Sequence, residues 1–252
     1  MNDPGLSEQH MASKVPAITL GFWIIKILAT TFGETAGDTV SMTMELGYLV
    51  GTAIFAALLV VLVAVQIAAR KFHPWLYWAT IIASTTAGTT MADFATRSVG
   101  IGYPGGSLLL LALVLATLVI WQRSLGSIAV ATVHEPRAEL FYWLTITFSQ
   151  TLGTALGDWI ADGPLGYLGA AALFGGLLAI IALLHYRSRV SQVLLFWAAF
   201  ILTRPLGATV GDFLDKPLAE GGLALSRPVA SAVLAAAMIL LILLIPQRAA
   251  RK

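Results

Sequence analysis

The sequence predicts an all-α integral membrane protein of eight transmembrane helices, built as four parallel two-helix repeats. Three observations lead there: a composition 58% hydrophobic and only 11% charged over 252 residues, apolar runs of membrane length, and one acidic segment that recurs four times. A soluble domain carries roughly a quarter charged residues, so a water-soluble globule is excluded.

In chain order the expected spans are 18–38, 46–69, 74–93, 105–121, 140–158, 166–184, 193–212 and 229–246. The second is the plainest, being interrupted only by Gln66, where about 20 apolar residues suffice to cross a bilayer. The first, third, fifth and seventh are richer in Ser, Thr and Gly, and each ends on an aspartate. The first ten residues contain Asp3 and Glu8 and no apolar core, so they read as a short disordered cytoplasmic tail and not as a signal peptide.

The ends of the odd-numbered spans read FGETAGDTVS from Phe32, AGTTMADFAT from Ala87, LGTALGDWIA from Leu152 and LGATVGDFLD from Leu206. Aligned on Asp38, Asp93, Asp158 and Asp212, every copy has a glycine five residues earlier (Gly33, Gly88, Gly153, Gly207) and a tryptophan fifteen earlier (Trp23, Trp78, Trp143, Trp197). A fixed period of this kind is an internal repeat. The whole chain, 1–252, is read as one membrane domain with units at about 15–71, 72–124, 138–188 and 189–248. Two spans per unit bring each unit in from the same side, so all four motifs share one face.

Basic residues set the orientation. Lys14, Arg70, Lys71, Arg123, Arg137, Arg187, Arg189, Arg248, Arg251 and Lys252 flank the ends away from the motifs, whereas Arg97, Lys216 and Arg227 lie near them. The positive-inside rule then puts both termini in the cytoplasm and the motifs outward. Fifteen helical residues place each aspartate about 22 Å from its tryptophan, inside a hydrocarbon core about 30 Å thick.

Helical spacing separates two faces. Gly33 with Gly37, Gly88 with Ala92, Gly153 with Gly157 and Gly207 with Gly211 form small-xxx-small stripes expected to pack helix on helix. On another side the aspartates are followed, four and eight residues back, by Glu34, Thr89, Thr154 and Ala208, then by Thr30, Thr85, Gln150 and Arg204. Converging spans would make this a polar throat, with Arg204 paired to Glu34 or to an aspartate. The tryptophans are expected as interface anchors, and Lys26 is expected to snorkel to the cytoplasm. The histidines at 10, 73, 134 and 185 fall in the tail or loops, where solvation is the expectation.

With no cysteine, a metal here has oxygen or imidazole ligands only. Carboxylates and hydroxyls favour hard cations, so the leading expectation is a secondary transporter, export included, of a hard divalent cation, Mn²⁺ favoured, coupled to protons. Asp38, Asp93, Asp158, Asp212 and Glu34 would bind the ion, and Arg204, Gln150, Thr89 and Thr154 would gate it or balance its charge. Five crowded carboxylates cannot all be charged at neutral pH, so binding is expected to weaken steeply as pH falls from about 7 to 5. The cation is cargo; no resident cofactor is expected. The segment from Glu34 to Asp38 resembles the acidic Glu-x-Gly-Asp signatures of small bacterial cation and proton exchangers. The whole pattern resembles bacterial membrane-anchored proteins with repeated Gly-x-x-x-Gly-Asp spans, a resemblance that implies a class and no chemistry.

Other classes are weaker. A net charge of +2 without a basic run gives no nucleic-acid face. No nucleophile–histidine pair lies in the membrane, and His-Glu-x-x-His motifs and phosphate-cradling loops are missing, so no enzyme is expected. The alternative is a membrane scaffold or subunit whose acidic rim binds a partner. The expected partners are the lipid bilayer, a small cation and protons; oligomeric state is left open.

Overall fold

The computed structural model describes residues 13–251; the tail expected at 1–10 and Lys252 lie outside them. The described residues form eight α-helices: α1 (Leu20–Asp38), α2 (Gly47–Ala68), α3 (Pro74–Asp93), α4 (Gly102–Leu125), α5 (Pro136–Ala161), α6 (Gly166–Arg187), α7 (Gln192–Asp215) and α8 (Arg227–Leu244). Past Asp38 and Asp93 the chain continues as single π-helical turns, Thr39–Thr43 and Phe94–Ser98. Three of the outer helices begin on a glycine of positive φ, Gly47 at 75°, Gly102 at 74° and Gly166 at 63°, a backbone shape that costs any residue with a Cβ.

The odd-numbered helices form a closed inner ring, α1 on α3, α3 on α5, α5 on α7 and α7 back on α1. Gly33 meets Thr85 and Gly37 meets Thr89, so the register advances in one sense and these neighbours run parallel. Each even-numbered helix packs on the inner helix of the following unit: α2 on α3, α4 on α5, α6 on α7, and α8 on α1. The outer surface is apolar, with Leu49, Val60, Leu108, Leu168, Val233 and Leu243 exposed, while Thr30, Thr85, Gln150 and Arg204 are fully buried. This is the reverse of a water-soluble protein. Helices α2, α4, α6, α7 and α8 are long and apolar enough to cross a membrane. The other three are less apolar, with Thr, Gly and acidic positions among their residues.

Away from the motifs, the ring is filled by aromatic side chains. Trp78, Trp143 and Trp197 are buried and Trp23 is half-buried. They are therefore core residues, not the interface anchors their spacing suggested. The cause is the residue before each one: Phe22, Tyr77, Tyr142 and Phe196 are also aromatic, and each meets its tryptophan edge-on with centroids 5.1–5.3 Å apart, a favourable aromatic geometry. Below this layer the termini form a short antiparallel ribbon, Pro16 bridging Ala249. Lys14 joins it to the bundle through Glu139, 2.6 Å away.

Candidate functional site: an axial column of polar layers

Counting back four residues at a time from each aspartate generates a stack of layers around the ring axis, about 6 Å apart. The mouth holds Asp38, Asp93, Asp158 and Asp212, all buried to 3% exposure or less. Next come Glu34, Thr89, Thr154 and Ala208, then Thr30, Thr85, Gln150 and Arg204. The fourth layer is Lys26, Ile81, Ile146 and Phe200, and the fifth is Phe22, Tyr77, Tyr142 and Phe196. Apart from Phe22, at 2%, and Phe196, at 7%, every member of the two deepest layers has 0% exposure.

The small-residue stripe makes this convergence possible. A Cβ at Gly88 would lie 2.9 Å from the backbone carbon of Gln150, and one at Gly211 would lie 2.8 Å from the Cβ of Glu34. Gly33, Gly153 and Gly207 face Thr85, Arg204 and Thr30, and Gly37 and Gly157 face Thr89 and Ala208. Each glycine thus seats an axial residue of the next unit, with the fourth unit seating the first.

Arg204 crosses the axis. Its Nη2 donates to Glu34 Oε2 at 2.9 Å, to Thr89 Oγ1 at 2.6 Å and to Thr154 Oγ1, one acceptor from each of the other three inner helices. The fourth residue of that layer is Ala208, which leaves room for the guanidinium reaching up from its own helix. Around it Thr85 Oγ1, Ser149 Oγ, both amide atoms of Gln150 and Arg204 Nε are buried without a hydrogen-bond partner among the described residues. Buried polar atoms ordinarily have one, so these five atoms stand out from the rest of the core.

At the mouth the aspartates are divided into two pairs. Arg97 bridges Asp93 at 3.0 Å and Asp158 at 3.1 Å, while Lys216 bridges Asp212 at 3.1 Å and Asp38 at 3.5 Å. Arg227 adds a contact to Asp38 at 3.7 Å and pairs with Asp215 at 3.2 Å. Burial works against the Lys216 ammonium, but Asp212 and Asp38 beside it outweigh burial and raise its pKa, so it stays charged. The five carboxylates expected to share one ion are therefore not equivalent. Among the described residues, the acidic group with oxygens all within 4.8 Å of one another is Glu34, Asp38 and Asp212.

Sequence reasoning missed two sets of residues. Arg97 and Lys216 lie four residues beyond their aspartates, an i,i+4 spacing that pairs opposite charges on a helix. Lys26 does not snorkel. It has 0% exposure, its Nζ is 4.2 Å from the Phe200 ring centroid, and its hydrogen bond is to Thr203 Oγ1 at 3.4 Å. Carrying the four-residue count one turn further would have placed it on the axis, in register with Ile81, Ile146 and Phe200.

The family described as Repeat of Unknown Function (DUF347) matches the chain four times, over residues 21–72, 76–127, 141–191 and 195–249. No curated protein and no solved structure matches.

Proposed function

Since the chain belongs to the DUF347 repeat family, four units enclosing one axis are its premise, and on it we propose a secondary transporter of a hard divalent cation, coupled to protons. All eight helices span the bacterial inner membrane, with both termini cytoplasmic and the mouth outward. The observation that carries the reading is a charge imbalance on the axis. Glu34, Asp38, Asp93, Asp158, Asp212 and Asp215 are six carboxylates, against the four bases Arg97, Arg204, Lys216 and Arg227 that pair with them. Two negative charges are left over in a buried site, where uncompensated charge is costly. One divalent cation, or two protons, neutralises them.

The donor set chooses among cations. Carboxylate and hydroxyl oxygens suit Mn²⁺, Mg²⁺ or Ca²⁺. The corner of Glu34, Asp38 and Asp212 is buried, and Mg²⁺ sheds its waters reluctantly while Ca²⁺ takes six to eight ligands. Mn²⁺ is therefore the substrate of the reading. The likeness of the Glu34–Asp38 segment to the Glu-x-Gly-Asp exchanger signatures agrees with it. Arg204, held by Glu34, Thr89 and Thr154, closes the throat below the ion, and the aromatic layer closes the opposite end, so the path opens by repacking at one layer at a time.

The test is Mn²⁺ flux into liposomes containing the purified protein, with internal pH recorded. Mn²⁺ movement opposed by two protons per ion, abolished in Asp38→Asn/Asp212→Asn, is the expected result. A wild-type protein that moves no divalent cation under any pH gradient would return the molecule to the scaffold reading.

A further inference from the structure

The fourth layer holds an axial charge that no ion pair accounts for. Lys26 lies in register with Ile81, Ile146 and Phe200, all four at 0% exposure. Among the described residues it makes no ion pair, and its polar contact is the hydroxyl of Thr203 at 3.4 Å. The groups facing it can be taken helix by helix. Helix α7 presents Arg204, one layer toward the mouth, together with the Phe200 ring. Helix α3 presents Tyr77 one layer deeper, and across the axis α5 presents Tyr142. Helix α8 presents no charged side chain beside it, since Arg227 is at the mouth on Asp38 and Asp215. On α1 itself the nearest carboxylate is Glu34, two turns up and already held by Arg204.

We propose that Lys26 is the residue that carries one of the two coupling protons of the transport cycle, with Arg204 as the element that links it to the cation site. This rests on the cation-transport reading. A guanidinium does not give up its proton in proteins, whereas a buried lysine amine does so readily. With the site empty, Arg204 is neutralised by Glu34, and Lys26 holds a proton that offsets one of the two excess negative charges; the second proton is on the mouth carboxylates. A cation taking the Glu34 carboxylate strips Arg204 of its counter-charge and leaves its positive charge uncompensated above Lys26, whose backbone position lies one turn deeper than that of Arg204, about 6 Å of helix rise. Two like charges in a dry core repel strongly, and only one of the two groups can relieve it. The N–H bond of the Lys26 ammonium breaks, the electron pair stays on Nζ, and the proton passes to water on the side away from the mouth. The hydroxyls of Tyr77 and Tyr142, 2.7 Å apart in the layer below, form the donor–acceptor pair on that route. Release of the cation reverses each step, so the ion and this proton exchange.

The experiment is calorimetric titration of the purified full chain with Mn²⁺ in buffers of different ionisation enthalpy, which counts protons released per ion bound. The wild type releases two. Lys26→Met fills the same space among Ile81, Ile146 and Phe200 with an apolar chain, so it folds, binds Mn²⁺ and releases one; Lys26→Gln, as the second variant, does the same. Lys26→Arg fixes the positive charge and weakens Mn²⁺ binding at least tenfold. Two protons released by a folded, Mn²⁺-binding Lys26→Met or Lys26→Gln would overturn the assignment of Lys26 alone. A wild type that binds no divalent cation would overturn the transport reading, and this inference with it.

Discussion

Arg204 places one guanidinium nitrogen 2.9 Å from Glu34 Oε2 at full burial, and the same nitrogen reaches hydroxyls on two further helices. Removing one partner of such a pair leaves an uncompensated charge in the core. Arg204→Met is therefore expected to destabilise the protein by about 3–5 kcal/mol, and Arg204→Met/Glu34→Gln to recover most of that loss. Thermal unfolding of the single and double variants in detergent measures the coupling. Equal destabilisation in the single and the double variant would show that the pair is not a unit.

The division of the mouth into two halves makes the aspartates unequal. Asp38→Asn and Asp212→Asn each remove a member of the three-oxygen corner and are expected to weaken Mn²⁺ binding at least tenfold, roughly 1.4 kcal/mol. Asp93→Asn and Asp158→Asn, whose carboxylates are bridged by Arg97, are expected to have smaller effects. Calorimetry on the four variants ranks them, and four equal losses would favour a symmetric ring.

Protons and the cation compete for the same oxygens. Binding is expected to weaken as pH falls from about 7 toward the carboxylate range near 4, because each protonated carboxylate must lose its proton before it can ligate. The sign is fixed by the acids: Lys216 remains charged across this window and contributes no opposite trend. Mn²⁺ titrations at unit pH intervals test this, and affinity that is level or rises on acidification contradicts it.

The glycine stripe has a built-in control. Gly88→Ala brings a Cβ to 2.9 Å from the backbone of α5, which cannot rotate away, whereas Gly175→Ala on α6 meets nothing within 4 Å. Overpacking costs about 1–3 kcal/mol, so Gly88→Ala is expected to lower thermal stability by that amount and Gly175→Ala to be neutral. Paired melts decide it; a neutral Gly88→Ala would mean the inner helices can separate freely.

Orientation is testable because the chain has no cysteine of its own. Leu125→Cys, at the end of α4 away from the mouth, is expected to react only with reagents that enter the cytoplasm. Selective labelling from outside would invert the topology.

What the sequence made legible was periodic: the four units, the small-residue faces and the axial polar positions all follow from repeats at fixed spacing. Three features were not legible for a common reason. Whether Trp78 reaches lipid or the core, whether Lys26 points along the axis or to the surface, and which unit α2 packs against are choices among neighbours that one helix's spacing leaves open. Trp78 is settled by Phe22 on the adjacent helix α1, Lys26 by Phe200 on α7, and α2 by its packing on α3.

The outward helix of each unit leans on its successor, and α8 leans on α1. This has a consequence for biogenesis. A hairpin leaving the translocon cannot cover its own axial carboxylates, and neither can two or three hairpins, because the ring has an open seam until α7 packs back on α1. The nascent chain must therefore park its polar faces against water or insertion machinery until the fourth unit is synthesised. Locking is then a single late event, and a chain stopped before Arg227 would have its first helix unsheathed.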